Sequence, residues 1–213
     1  MRSIIPLILG LALVLSSCQK EIDYDLGTGG GPGGGNTGNY QPSTKNSYWK
    51  YRQTGSFTGD YTLTSTGEKR TQGGIEYVVY SSTSVPPTTV AEQLMGTKNH
   101  NLYSSVQGAS PNTGAPFDLN MLYSNDTASV GYTWQHNAGQ GNGFTAFTPG
   151  FIKEKGISMV VAGKNYTNVI HSQIELQYEL PVFGTVTFAL YDFYAAKNIG
   201  IIRVESMGDP ILF

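Results

Sequence analysis

From Tyr48 onward, apolar and polar residues alternate with a period of two, the spacing of a strand with one dry face and one wet face. The clearest stretch is residues 170–180. Ile170, Ile174, Leu176, Tyr178 and Leu180 share one face, interrupted by Ser172, while His171, Gln173, Glu175, Gln177 and Glu179 share the other. Pro181-Val182-Phe183-Gly184 carries turn residues and predicts a hairpin, with residues 185–196 as the returning strand. A short apolar strand over 199–205 follows. Upstream, residues 48–54, 61–69 and 75–84 read as successive strands, with Gln72-Gly73-Gly74 as a tight turn, and Val130, Tyr132 and Trp134 alternate in another. Residues 89–95 are ambiguous, because Ala91-Glu92-Gln93-Leu94-Met95 are good helix formers. Residues 108–117 and 138–143, rich in Gly, Pro and Asn, predict long exposed loops. Sequential strands joined by short turns predict an all-β domain, a single antiparallel meander forming a curved sheet or open half-barrel.

The N-terminus has a different pattern. Met1-Arg2 supplies a positive start, and residues 4–15 are an unbroken apolar run. Twelve residues of helix reach about 18 Å, short of the ~30 Å hydrocarbon core, which predicts a cleaved signal rather than a permanent span. Leu15-Ser16-Ser17-Cys18 follows directly and resembles a bacterial lipobox, in which the signal is cut before a cysteine whose thiol is acylated. Cys18 is the only cysteine, and acylation accounts for an extracytoplasmic thiol with no disulfide partner. The expectation is a protein held on a membrane by acyl chains on Cys18. Gln19 in place of an aspartate points, by the same resemblance, to the outer membrane, facing the periplasm or the cell surface. Gln19-Lys20-Glu21 resembles the surface-export signals of Bacteroidota-type lipoproteins and reads equally as a solvated tether.

Residues 27–38 (GTGGGPGGGNTG) hold eight of the 27 glycines and nothing larger than Asn. Such a segment buries too little surface to offset its backbone entropy, and is a flexible linker. No strand precedes these glycines and no Lys-Ser/Thr closes them, so they are not a phosphate loop. The expected division is a signal peptide at 1–17, a lipidated cysteine and linker at 18–43, and the all-β domain at 44–213. Counting residues 19–43 as tether gives a root-mean-square reach of about 25–30 Å.

Within residues 44–213 the charges nearly cancel, with 11 Lys/Arg against 12 Asp/Glu. No basic stripe suggests nucleic acid, and no polybasic segment suggests electrostatic membrane binding. His100, His136 and His171 are far apart and lack partners at metal-ligand spacing, which makes solvated surface histidines the expectation and leaves no metal or cofactor to assign. There is no Gly-x-Ser-x-Gly elbow, and Cys18 is consumed by lipidation. Few acids are available for glycoside chemistry. The expectation is a protein that is not an enzyme.

Aromatic residues are the richest feature, including Tyr48, Trp49, Tyr51, Tyr132, Trp134, Tyr191, Phe193 and Tyr194. Such residues pack cross-strand pairs in any sheet, and they also line apolar or sugar sites. Residues 185–196 are apolar on both faces, with Val186, Phe188, Leu190 and Tyr194 opposite Ala189, Tyr191 and Phe193. That strand is the best hint of a binding face. Phe188, Phe193, Tyr191 and Trp134 are the candidate ligand-facing residues. Asp126-Thr127-Ala128 fits a short O-glycosylation pattern at Thr127, and reads equally as a turn.

Tyr48-Trp49-Lys50-Tyr51, Val130-Gly131-Tyr132-Thr133-Trp134, residues 165–170 (NYTNVI) and residues 194–205 (YAAKNIGIIRVE) together resemble extracytoplasmic lipoproteins of Bacteroidota-type bacteria with open β-barrels of the LolA/LppX and TapB-like kind. The resemblance implies a concave sheet able to shelter acyl chains or another apolar ligand, and it carries no catalytic residues. The expected function is a membrane-anchored, non-catalytic lipoprotein that binds or shields an apolar ligand such as a lipid. Alternatives are an envelope module that binds a glycan or protein, and a structural lipoprotein without a small ligand.

Overall fold

A computed structural model describes residues 39–54, 59–85, 92–109, 116–141 and 143–208. The expected signal peptide, Cys18 and the Gly-rich segment at 27–38 lie outside these residues. The described chain is all-β, with no helix: β1 (Tyr48–Gln53), β2 (Gly59–Gln72), β3 (Ile75–Val85), β4 (Glu92–Lys98), β5 (Asn101–Ala109), β6 (Pro116–Asn125), β7 (Thr133–Trp134), β8 (Asn137–Gly141), β9 (Phe144–Phe147), β10 (Gly150–Val161), β11 (Lys164–Leu180), β12 (Gly184–Ala196) and β13 (Gly200–Gly208). They form one antiparallel sheet of 13 strands that is not closed into a barrel.

The main path runs β1-β2-β3-β4-β5-β6-β8-β9-β11 and continues through β12 to β13, while β10 and β7 branch from β11. The predicted meander therefore holds except where β11, the longest strand, takes both β9 and β10 as neighbours on one side. Every pairing on this path is antiparallel, and the path has an odd number of strands (β1 to β6, β8, β9, β11, β12, β13). The two edges, β1 and β13, consequently run in the same direction. They meet through side chains: Trp49 Nε1 donates to the Ile199 carbonyl and the Tyr51 hydroxyl to the Ile201 carbonyl, each at 2.8 Å.

The alternation in residues 170–180 is observed. Ile170, Ile174, Leu176 and Tyr178 are buried in the sheet interior. Ser172, an interruption by pattern, is buried with them and donates to the Tyr123 carbonyl at 2.6 Å. The Gln72-Gly73-Gly74 turn is also observed; Gly73 and Gly74 have φ of 58° and 72°, a left-handed pair that suits a two-residue hairpin. A second, smaller core of Ile75, Tyr77, Val79, Leu94, Tyr103 and Leu122 lies on the other face of β3 to β6. Strand β3 is thus buried on both sides over Tyr77-Val78-Val79-Tyr80.

Several expectations are corrected. The packed domain starts before residue 44, because Tyr40 and Gln41 are buried against the sheet and bonded to it. The ambiguous residues 89–95 enter a strand, β4, from Glu92; pairing with β3 and β5 overrides helix propensity. Val130 and Tyr132 are exposed beside a turn at Gly131, and only Thr133–Trp134 is extended. Residues 138–143 are not a long loop, since Asn137–Gly141 is β8, with Ala138 buried. There, a Cβ on Gly141 would lie 2.4 Å from the Tyr178 hydroxyl, so only glycine admits the tyrosine.

Candidate functional site

The seam where β1 faces β13 is the first candidate. Its walls are Trp49 and Tyr51 from β1, Leu63 from β2, Tyr80 from β3, Met95 from β4, Tyr123 from β6, and Gly200 and Ile201 from β13. These positions come from alternate residues of strands whose inward faces are aromatic or aliphatic. Trp49 and Tyr80 pack with ring centroids 5.7 Å apart. Burial drives the Tyr51, Tyr80 and Tyr123 hydroxyls well above the usual phenol range, so all three remain protonated donors. The space left is about 10 Å³, room for about one water.

Residues 39–43 fill the mouth. The Asn198 amide donates to the Asn39 carbonyl at 2.7 Å, and the Asn39 amide to Asn198 Oδ1 at 3.2 Å, tying this strap to the β12–β13 turn. The Tyr80 hydroxyl donates to the Pro42 carbonyl at 2.7 Å, and the Ser65 hydroxyl to the Ser43 carbonyl at 3.2 Å. Gln41 is buried, with longer bonds: Tyr123 donates to its Oε1 at 3.4 Å, and its Nε2 donates to the Tyr103 carbonyl at 3.3 Å. Gly200, at φ 95°, sits beneath; a Cβ there would be 3.3 Å from Pro42.

The second candidate is a polar array on the outer face of β10 to β13. Glu154, His171, Tyr194 and Arg203 are direct cross-strand neighbours. His171 is only 4% exposed, which corrects the solvated histidine expected from the alternation. Its Nδ1 lies 2.8 Å from Glu154 and its Nε2 2.7 Å from Asp192, and its ring stacks on Tyr194 at 4.2 Å. A bulge between Ile152 and Glu154 brings Lys153 to the same network, where it donates to Asp192 at 3.1 Å. Gln173 donates to both Asp192 oxygens. Burial pushes the Asp192 carboxyl up, but the bonds from His171, Gln173 and Lys153 outweigh it and hold the group below its ordinary value. Both His171 nitrogens and the Asp192 carboxylate are thus engaged within the network. The array was hidden in the sequence because Glu154, His171 and Asp192 lie on three different strands.

The other histidines separate. His136 bonds the Asn120 carbonyl at 3.0 Å, and its burial, only partly offset by that bond, lowers its pKa. His100 is exposed beside Asp126, 2.9 Å away. Among the described residues, no group of three or more His, Cys, Asp or Glu could hold a metal.

The predicted ligand-facing residues fall in three environments. Tyr191 and Phe193 are buried in the core, where Phe193 stacks on Tyr123 at 5.0 Å, so neither presents an open surface. Trp134 is half-buried between the two cores, and its indole donates to the Leu122 carbonyl at 3.1 Å. Phe188 is exposed and edge-on to Tyr178 at 5.0 Å. It sits at the β11–β12 register shift, where Leu176 pairs Ala189 and Gln177 pairs Thr187, so that one strand carries an extra residue. Beyond it, at the hairpin tip, Val182 and Phe183 are 99% and 78% exposed, an apolar end that turn propensity alone did not mark as a site. Thr127 is exposed, with its hydroxyl donating to Asn125 Oδ1 at 3.1 Å in a side-chain-capped turn. Cys18 lies outside the described residues.

Family models, curated proteins and solved structures give no match to this chain. The reading of its function rests on its own residues.

Proposed function

We propose that the protein is a lipid-anchored extracytoplasmic lipoprotein of the outer membrane, without catalytic activity, whose all-β domain binds an apolar ligand at the seam between β1 and β13. The observation that carries the reading is the unclosed sheet edge. Aromatic and aliphatic side chains line its mouth, and the edges are joined by two side-chain bonds rather than a backbone ladder. The interior is otherwise filled by its own side chains, so the ligand takes the place of material at the mouth rather than entering a preformed hall. The anchor is supported by the apolar run at 4–15 and the lone Cys18.

Two measurements test this. Cells fed a clickable fatty-acid analogue should label the wild-type protein and not Cys18→Ala; an unlabelled wild type would remove the anchor. Native mass spectrometry of protein extracted from its own membrane should show an apolar small molecule bound to the domain, and bare protein at every mild activation energy would remove the ligand.

A second reading is an envelope module that docks a protein partner, favoured by the Val182–Phe183 tip. Val182 holds φ 75°, a strained conformation for a β-branched residue, while presenting its side chain wholly to solvent.

A further inference from the structure

We propose that residues 39–43 are a displaceable strap lying in the binding site itself, and that the site takes a neutral apolar molecule bearing carbonyl oxygens. The inference rests on the apolar-ligand reading and adds what the ligand displaces and which chemistry it needs.

Three observations carry it. First, the strap meets the sheet mainly through acceptors: Pro42 O, Ser43 O and Gln41 Oε1 take hydrogen bonds from the hydroxyls of Tyr80, Ser65 and Tyr123. Lifting the strap leaves two donors, the Tyr80 and Tyr123 hydroxyls, lining one apolar groove, against a single freed acceptor, the Tyr103 carbonyl. A replacement must offer acceptors in turn, since a buried donor left unpaired is costly. Second, among the described residues no charged side chain lines the mouth. A carboxylate buried there would have no cation to pair with, whereas an ester or amide carbonyl needs only the hydroxyls. Third, the buried Gln41 amide is held by bonds of 3.3 and 3.4 Å, near the limit of useful geometry. Returning it to water forfeits little, so the middle of the strap leaves more readily than its tie at Asn39–Asn198. The strap also lies where the chain leads back toward Cys18, so tension from an anchor acts on it before the rest of the domain.

The test uses the full chain carrying Cys18→Ser, with Asn39→Cys and Asn198→Cys added to lock the strap to the β12–β13 turn. The two backbones are in direct hydrogen-bond contact at this pair, which places the new thiols on neighbouring residues. The probe is the methyl ester of cis-parinaric acid, read by its own fluorescence and by energy transfer from tryptophan, with the free acid at pH 8 as the charged comparison. The reduced protein should bind the ester and quench tryptophan emission. Oxidation should weaken binding at least tenfold, reduction should restore it, and the free acid should bind at least tenfold more weakly than the ester. In the otherwise unmodified full chain, Gln41→Ala should tighten ester binding at least threefold, which serves if the disulfide does not form. Binding indifferent to both the lock and Gln41→Ala overturns the strap while leaving the apolar-ligand reading intact. Equal binding of acid and ester overturns the neutral-ligand assignment. No binding in any form removes the apolar-ligand reading together with the strap.

Discussion

The Tyr51 hydroxyl, on the first strand, donates to the Ile201 carbonyl on the last, 150 residues away in sequence and 2.8 Å away in space. With Trp49 on the Ile199 carbonyl, it holds together two edges that have no backbone pairing. Tyr51→Phe keeps the ring and removes the donor, leaving a carbonyl unpaired in a buried setting. The expected loss is about 1–3 kcal/mol in urea unfolding, with β13 amides exchanging hydrogen faster. A change below about 0.5 kcal/mol would mean that packing alone holds the seam.

Phe193 and Phe188 lie on the same strand and should behave oppositely. Phe193 is 1% exposed and stacked on Tyr123, so Phe193→Ala should cost about 3–5 kcal/mol. Phe188→Ala, at an exposed bulge, should cost about 1 kcal/mol or less. Similar losses at both sites, measured by chemical denaturation, would contradict the register of β12.

Gly150 lies beneath Trp134, and a Cβ there would fall 2.6 Å from the indole and 2.7 Å from Ile174. Gly150→Ala should displace the indole, breaking its bond to Leu122, at a cost of about 1–3 kcal/mol. A Trp134 emission maximum shifted to the red would report the displacement, and an unchanged spectrum with full stability would argue against this packing.

Asp192 gives the outer face its pH dependence. Its pKa is lower in the folded protein than in the unfolded chain, so its stabilising contribution is complete above the unfolded value of 3.8 and is lost as pH falls through the lower folded value. Wild type should lose stability steeply below about pH 4. Asp192→Asn should be less stable at neutral pH and show a shallower acid limb. Parallel acid limbs in the two proteins would place the acid sensitivity elsewhere.

His136 acts in a higher window. Burial lowers its pKa below the ordinary 6.5, so the fold is penalised as pH falls below that value and the ring is driven to charge. His136→Gln should remove that part of the slope between neutrality and about pH 5. An unaltered slope in thermal melts would exclude His136 as its source.

Strand identity was written in the alternation of residues 170–180 and in the turn chemistry at Gly73-Gly74 and Pro181-Val182-Phe183-Gly184, because side-chain facing and turn geometry are local properties. The sequence also determined that one cysteine stands behind an apolar run and that positive and negative charges nearly cancel. It did not determine which face of a two-sided strand becomes core. Tyr191 and Phe193 turn inward because the bulge at Phe188 sets their register against β11. Nor did it reveal the Glu154–His171–Asp192 array, whose members meet only when β10, β11 and β12 pair. Tyr40 and Gln41 read as tether beside a glycine run, yet they are buried because the parallel edges β1 and β13 leave a gap that the incoming chain fills. Facing is decided within a few residues, whereas register, closure and the filling of gaps depend on strands that are distant in sequence and come together only in the folded sheet.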